Sequence, residues 1–246
     1  KNPYPPMQLL DEERMQRLHD TSMRILSELG IRVMSERVMD LFASAGAIVD
    51  REEKTIRIDE SLVREALRAV PSSFTLTSRN PEKQVHLGGN SLVFGLVAGP
   101  PNVHDRINGR RQGNLADYQN FIRLAHHFNA IHIIGNQVVA PMELPANARH
   151  LDTYHANLTL SDLSFHCTAI GRSRAMDGIN MMAIARGISV EEMRASPGVT
   201  TIISINSPRL FDDAMAEGLI AMAEHGQPVR FRRIGQAAPI FADVHA

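Results

Sequence analysis

Hydrophobic positions recur along this chain in two rhythms, and the change between them falls near residue 90. In the first stretch, Met15, Leu18, Ser22, Ile25, Leu26 and Leu29 return at helical spacing, and Gly30 stops the run. Ser35 stands where an N-cap belongs, ahead of Val38, Met39 and Phe42, and Gly46 closes that second helix. Ala47 to Asp50 and Thr55 to Asp59 flank a charged turn, with Ile56 and Ile58 alternating around Arg57, the pattern of a small hairpin. A short helix over Ser61 to Val70 ends before Pro71. Phe74 and Leu76 alternate with polar residues, and after Asn80-Pro81 the run Gln84 to Leu87 returns. Residues 1–90 therefore read as an α+β elaboration, opened by an extended arm with Pro3, Pro5 and Pro6.

From residue 91 strands and helices alternate. Leu92 to Phe94 predicts a strand that runs out at Gly95, Gly99, Pro100 and Pro101, followed by a polar turn. Asn114 caps a helix over Leu115 to Asn129, with Asp117 in its first turn. A buried strand within Ile131 to Ala140, a helix over Asn147 to Leu160 and a strand over Ser164 to Ile170 come next. Ser173 opens a helix to Arg186, Val199 to Ile205 is a strand, Phe211 to His225 a helix, and Val229 starts another strand. The strands are apolar without clean alternation, as when both faces are covered. The fold class expected is α/β: a TIM-type (βα)8 barrel represented by about four βα units, residues 91–229, or an open doubly wound sheet. Residues 230–246 read as an atypical tail, because Arg230, Arg232 and Arg233 fall where a buried strand should run and buried arginines need partners.

Composition narrows the function classes. A net charge of -1 gives no support for a nucleic-acid or membrane-surface partner. No apolar run approaches the roughly 20 residues that cross a bilayer. The first residues lack the apolar core of a signal peptide, so the expected location is cytoplasmic. One cysteine, Cys167, excludes an internal disulfide and a multi-thiolate zinc site within the chain. The glycines fit no phosphate loop, His150 and His155 miss the His-x3-His spacing, and there is no Gly-x-Ser-x-Gly elbow.

In a βα domain ligands sit beyond the carboxyl ends of the strands. That rule selects Phe94 to Asp105, Asn136 to Glu143, His166 with Cys167, and Asn206-Ser207-Pro208. Each also has a plainer reading: Cys167 as a small core residue, Glu143 as a solvated loop carboxylate, Asn206 and Ser207 as the opening of a helix. His166 and Cys167 are neighbours and point to opposite faces, so one of them turns away from the helices. His126, His127 and His132 read as structural.

Several phrases together resemble the trimethylamine methyltransferase family of corrinoid-protein methyltransferases, in its non-pyrrolysine, glycine betaine branch. They are Leu18-His19 through Leu29-Gly30-Ile31, Phe94-Gly95 through Gly99-Pro100, Asn102-Val103-His104-Asp105, Leu115-Ala116-Asp117, Ser204-Ile205-Asn206-Ser207-Pro208 with Asp212, and Gly226-Gln227-Pro228-Val229. The match spans roughly the N-terminal half of that pattern. It implies a TIM barrel about twice this length that moves a methyl group from a quaternary or tertiary methylamine to the cobalt of a corrinoid protein. The corrinoid belongs to that partner; this chain is expected to bind no cofactor or metal directly, and to form a homo-oligomer. Aromatic faces and a carboxylate suit a quaternary ammonium, which nominates Phe94, Glu143 and Tyr154. The expected substrate-binding set is Phe94, Gly95, Asn102, Glu143, His166, Asn206 and Ser207, with no residue assigned a catalytic role. Two other readings use the same residues: a non-catalytic half-barrel that binds or assembles, and a TIM-barrel lyase or hydrolase built on Glu143 and His166.

Overall fold

Caps and glycines set most of the element boundaries. The computed structural model describes Tyr4, residues 8–206 and residues 208–233, with the side chains of 231–233 left aside. In chain order the elements are α1 (Glu12–Arg24), β1 (Ile31–Val33), α2 (Glu36–Ser44), β2 (Ile48–Asp50), β3 (Thr55–Arg57), α3 (Glu60–Ala69), β4 (Ser73–Leu76) and β5 (Val85–Gly88). Then come β6 (Asn102–Asp105), β7 (Gly109–Gln112), α4 (Leu115–His127), β8 (Ile133–Ile134), α5 (Arg149–Leu160), β9 (Ser164–His166) and α6 (Arg172–Arg186). The series closes with α7 (Val190–Ala195), β10 (Val199–Ile205), β11 (Leu210–Phe211), α8 (Asp213–Glu224) and β12 (Val229–Arg233). The proline arm at 3, 5 and 6, Ser207 and residues 234–246 lie outside the described residues.

The chain divides into two compact units. One comprises residues 1–72, 204–216 and 231–246; the other comprises 73–203 and 217–230. In the first unit the sheet runs β11-β1-β3-β2, with β1 parallel to β11 and antiparallel to β3. Ser35 caps α2 as its spacing predicts, its hydroxyl accepting from the Val38 N–H at 3.5 Å. The apolar stripe of α1 differs from expectation: α1 buries no residue, and a π-type turn over Ile25–Leu29 ends it.

In the second unit the sheet order is β12-β10-β9-β8, with β10 and β8 each parallel to β9. The helices lie on one face of it. Phe165 meets the ring of Tyr154 at 5.2 Å. Cys167 Sγ lies 3.6 Å from Met222 Sδ, and a Cβ on Gly178 would stand 2.6 Å from the Cys167 Cβ. That glycine lets α6 close onto the strand. The β4–β5 hairpin covers the other face at the amino end, packing Leu76 and Val85 on Ile133. It is tied there by the Thr77 N–H on the Pro197 carbonyl (2.7 Å) and by Asn80 Nδ2 on Asp162 Oδ2 (2.9 Å).

Several predicted boundaries are corrected. The strand at Leu92 to Phe94 reduces to a parallel bridge between Gly95 and Ile133. The strands within 131–140 and 164–170 shorten to β8 and β9. Residues 102–112 form an antiparallel hairpin where a polar turn was expected; Asp105 Oδ1 accepts the Ile107 and Asn108 N–H groups to turn it. Ser173 does not cap α6: Gly171, at φ 92°, precedes it without a side-chain cap. The helix expected from Phe211 begins at Asp213, after the short β11. The tail starts as strand, since β12 continues through Arg233.

Candidate functional site: the carboxyl end of the parallel strands

β9 alternates. Phe165 and Cys167 point to the helices, so Ser164, His166 and Thr168 line the opposite face. All three are buried. The Thr168 hydroxyl donates to Asn136 Oδ1 at 2.9 Å, linking the ends of two adjacent strands. Tyr154, one of the aromatics nominated above, is buried on the helix side, where its hydroxyl accepts the Thr168 N–H and fixes that strand end from behind.

His166 faces Arg230 of β12 through Nε2. A guanidinium only donates, so Nε2 accepts and the imidazole proton resides on Nδ1. Burial, reinforced by the Arg230 charge, holds the His166 pKa down to about 3. The ring is therefore a neutral donor at any physiological pH. Its Nδ1 has no hydrogen-bond partner among the described residues, and neither has the Ser164 hydroxyl. Spare donor capacity at the carboxyl end of a parallel strand is what a ligand site needs.

The other nominated residues lie elsewhere. The Gly95–Ile133 and Ile133–Ser164 pairings put Gly95 level with Ser164. Phe94 is thus a step toward the amino end, half-exposed, its ring stacked on His132 at 6.2 Å and its N–H donated to His132 Nδ1 at 3.1 Å. Asn102 opens β6 and borders a cavity of about 270 Å³ with Leu96, Val97, Val103, Phe121 and Val139. Glu143 is exposed, and its Oε1 accepts the Leu115 N–H at 2.6 Å, which clamps the start of α4. Asn206 belongs to the first unit, where its Nδ2 donates to Asp212 Oδ2 at 2.8 Å. Of the six that are described, His166 is the one that joins Thr168, Asn136 and Arg230. Sequence reasoning set Arg230 aside in the tail; the need of a buried arginine for a partner was the signal that could have paired it with His166.

A second polar group builds the start of α4. Asn114 and Asp117 form a reciprocal capping box, and Arg111 of β7 grips the Asp117 carboxylate with both terminal nitrogens. Those bonds hold the Asp117 pKa below the usual carboxylate range. Among the described residues no three His, Cys, Asp or Glu side chains are grouped to hold a metal ion, and no helix is long and apolar enough to cross a membrane.

The comparison with known proteins decides the family. The model of the trimethylamine methyltransferase family matches residues 1–240. The chain belongs to that family. The glycine betaine methyltransferase of Desulfitobacterium hafniense strain Y51 is 32% identical over 225 residues, covering 92% of this chain and 46% of the relative. A trimethylamine methyltransferase of strain DSM 10664 is 23% identical over 92% of this chain and 45% of its own length. The proline betaine:corrinoid methyltransferase of Eubacterium limosum is 23% identical over 86% and 44%. The chain spans just under half the length of these three relatives.

Proposed function

We propose that this chain serves methyl transfer from a quaternary or tertiary methylamine, glycine betaine foremost, to the cobalt of a separate corrinoid protein, and that it acts in the cytoplasm. The observation that carries the reading is the 32% identity to a glycine betaine methyltransferase across 92% of the chain. The fold inferred with it is a TIM-type barrel, with residues 91–229 supplying the first βα units. Its support is the consecutive strand order: Gly95, β8, β9, β10 and β12 neighbour one another in sequence order, whereas a doubly wound sheet reverses.

The acceptor supplies the nucleophile, whose electron pair forms the bond to the methyl carbon as the C–N pair leaves on nitrogen. A quaternary ammonium departs as a neutral amine, and a tertiary amine does so when it reacts as its ammonium form, already protonated by water at neutral pH, so the protein needs no general acid for either. Its work is to hold the methyl carbon in line and to recognise the rest of the substrate. His166 suits that task at the carboxylate end of a betaine, because its Nδ1–H is a neutral donor and the Arg230 guanidinium behind it adds positive charge. Phe94, Gly95, Asn102, Glu143, Asn206 and Ser207 remain proposed as substrate contacts.

The test mixes the protein with cob(I)alamin and glycine betaine, trimethylamine, carnitine or proline betaine in turn. Loss of cob(I)alamin absorbance with release of the demethylated amine is expected for at least one of them. Heat of binding without transfer would instead favour the non-catalytic binding role. Neither heat nor transfer with any of the four would overturn the proposal.

A further inference from the structure

Among the described residues three that are not glycine hold a positive φ: Lys54 at 50°, Gln137 at 48° and Arg209 at 58°. A side chain disfavours that backbone, because its Cβ crowds the following carbonyl oxygen. Two of the three have local reasons for it. Lys54 closes the tight turn between β2 and β3. Arg209 turns the chain into β11, and its guanidinium donates to the Gly30 carbonyl. Gln137 has neither reason. It is half-buried in the loop that follows β8, and its side-chain amide makes no hydrogen bond among the described residues. Glycine would carry the same backbone without strain.

The surroundings over-determine this conformation. The Leu96 N–H on the Ile133 carbonyl (3.1 Å), the Gly99 N–H on the Gln137 carbonyl (2.8 Å) and the Ala140 N–H on the Pro100 carbonyl (2.9 Å) lay residues 96–100 along residues 133–140. Contact there is close: a Cβ on Gly135 would stand 2.1 Å from the Leu96 carbonyl oxygen. A segment clamped on both sides of one residue can hold that residue in a costly conformation, and such residues gather at ligand sites. The clamped residue directly follows Asn136, whose side chain joins the ends of β8 and β9 through Thr168.

We propose that Gln137 is a substrate-contacting residue, its side-chain amide donating to the carboxylate of glycine betaine at the carboxyl end of β8. This rests on the betaine reading above and adds to it a residue that sequence did not select. The direction of the bond follows from the neighbours. Asn136 spends its oxygen on the Thr168 hydroxyl, which leaves its Nδ2 hydrogens to offer. His166 leaves its Nδ1–H. Both are donors, so the ligand end that meets them is an acceptor, and the Gln137 amide presents Nε2 to it. A quaternary ammonium has neither a hydrogen to donate nor a lone pair, so the carboxylate is the end these groups can hold. Glycine at this position would relieve the strain and delete the contact together. Stability and binding are therefore expected to move in opposite directions.

Three variants test this by thermal melting and by calorimetry with glycine betaine. No cob(I)alamin is present, so the contact is read apart from methyl transfer. Gln137→Gly should raise Tm by about 2–4 °C and weaken glycine betaine binding at least about tenfold. Gln137→Ala keeps the strained Cβ and loses the amide, so it should weaken binding equally with Tm within about 1 °C of the parent's. Gln137→Glu, equal in length but anionic, should weaken binding more than either. A Gln137→Gly variant that melts higher and binds as the parent does would overturn the proposal, since the strain would then serve no contact. A variant that melts lower would overturn it too, and tighter binding in Gln137→Glu would put the ammonium group beside residue 137 instead. No heat from the parent would remove this contact together with glycine betaine as substrate. Heat without methyl transfer would remove the transfer reading and leave the contact standing.

Discussion

His166 and Cys167 are consecutive residues of one strand, both buried and both titratable, yet they face different environments. On the helix side Cys167 lies among apolar neighbours, with the Met222 sulfur beside its own, and burial pushes its thiol up to about 12. On the other side burial and Arg230 push His166 down to about 3. Desolvation keeps both groups neutral, so burial does not separate the faces. What separates them is hydrogen-bonding capacity left over. The thiol is a weak donor in a packed core and leaves almost nothing unspent; the imidazole retains an N–H with no partner among the described residues. A packed face and a face held ready for something else differ in that residue of polar capacity.

The sharpest way to break the contrast is to disturb the packed face. Gly218 sits in α8 where a Cβ would stand 1.8 Å from the Ala169 carbonyl oxygen. Helix propensity alone favours alanine over glycine by about 1 kcal/mol. Packing predicts the opposite sign, because backbone cannot step aside. Gly218→Ala should lower unfolding stability by about 3 kcal/mol, read from the urea midpoint. A variant as stable as the parent would show that this face is not closely packed.

The helix face was the more legible of the two in sequence. Asn114 with Asp117 and Ser35 mark helix starts by side-chain chemistry, Gly187 marks a helix end by its left-handed backbone, and the structure uses each of them. Cys167 reads as core and is core. The Asn102–Gln112 hairpin escaped because Asn-Val-His-Asp and Gly-Arg-Arg-Gln show no apolar alternation; a backbone ladder, the Asp105 turn and the Arg111–Asp117 grip hold it. The α1 stripe was legible as a helix face but not as an exposed one, since periodicity says which side is apolar and not what covers it. Of the site, His166 could be read from its place in a strand. Arg230, Thr168 and Asn136 could not be joined to it without the register of three further strands.

A smaller effect tests the open face. His166 has a folded pKa of about 3, against 6.5 for an imidazole in water. Between those values the unfolded chain takes up a proton that the folded protein refuses, so stability falls as pH drops from 6.5 toward 3. The contribution is up to about 1.4 kcal/mol per pH unit, or about 2 kcal/mol by pH 5. In His166→Asn this part of the slope should vanish, whatever the variant's stability at neutral pH. Denaturant titrations of both proteins from pH 7.5 to 5 give the comparison. Identical slopes would mean that His166 takes up its proton in the folded state, and the neutral donor would be lost with it.

The smallest expected effect concerns a residue that sequence placed at the same mouth. Glu143 accepts the Leu115 N–H at the first turn of α4, where a carboxylate also meets the helix dipole. Glutamine keeps an acceptor oxygen and loses the charge, so Glu143→Gln should cost about 0.3–1 kcal/mol of stability. If the carboxylate also faces a substrate ammonium, the same variant raises KM for glycine betaine while leaving kcat near the parent's, because a ground-state contact is removed. If clamping α4 is all it does, KM stays put. The stability change and the KM change thus report different ends of one side chain. A fall in kcat with KM unchanged would place Glu143 in the chemical step and return weight to a hydrolytic or lyase mechanism.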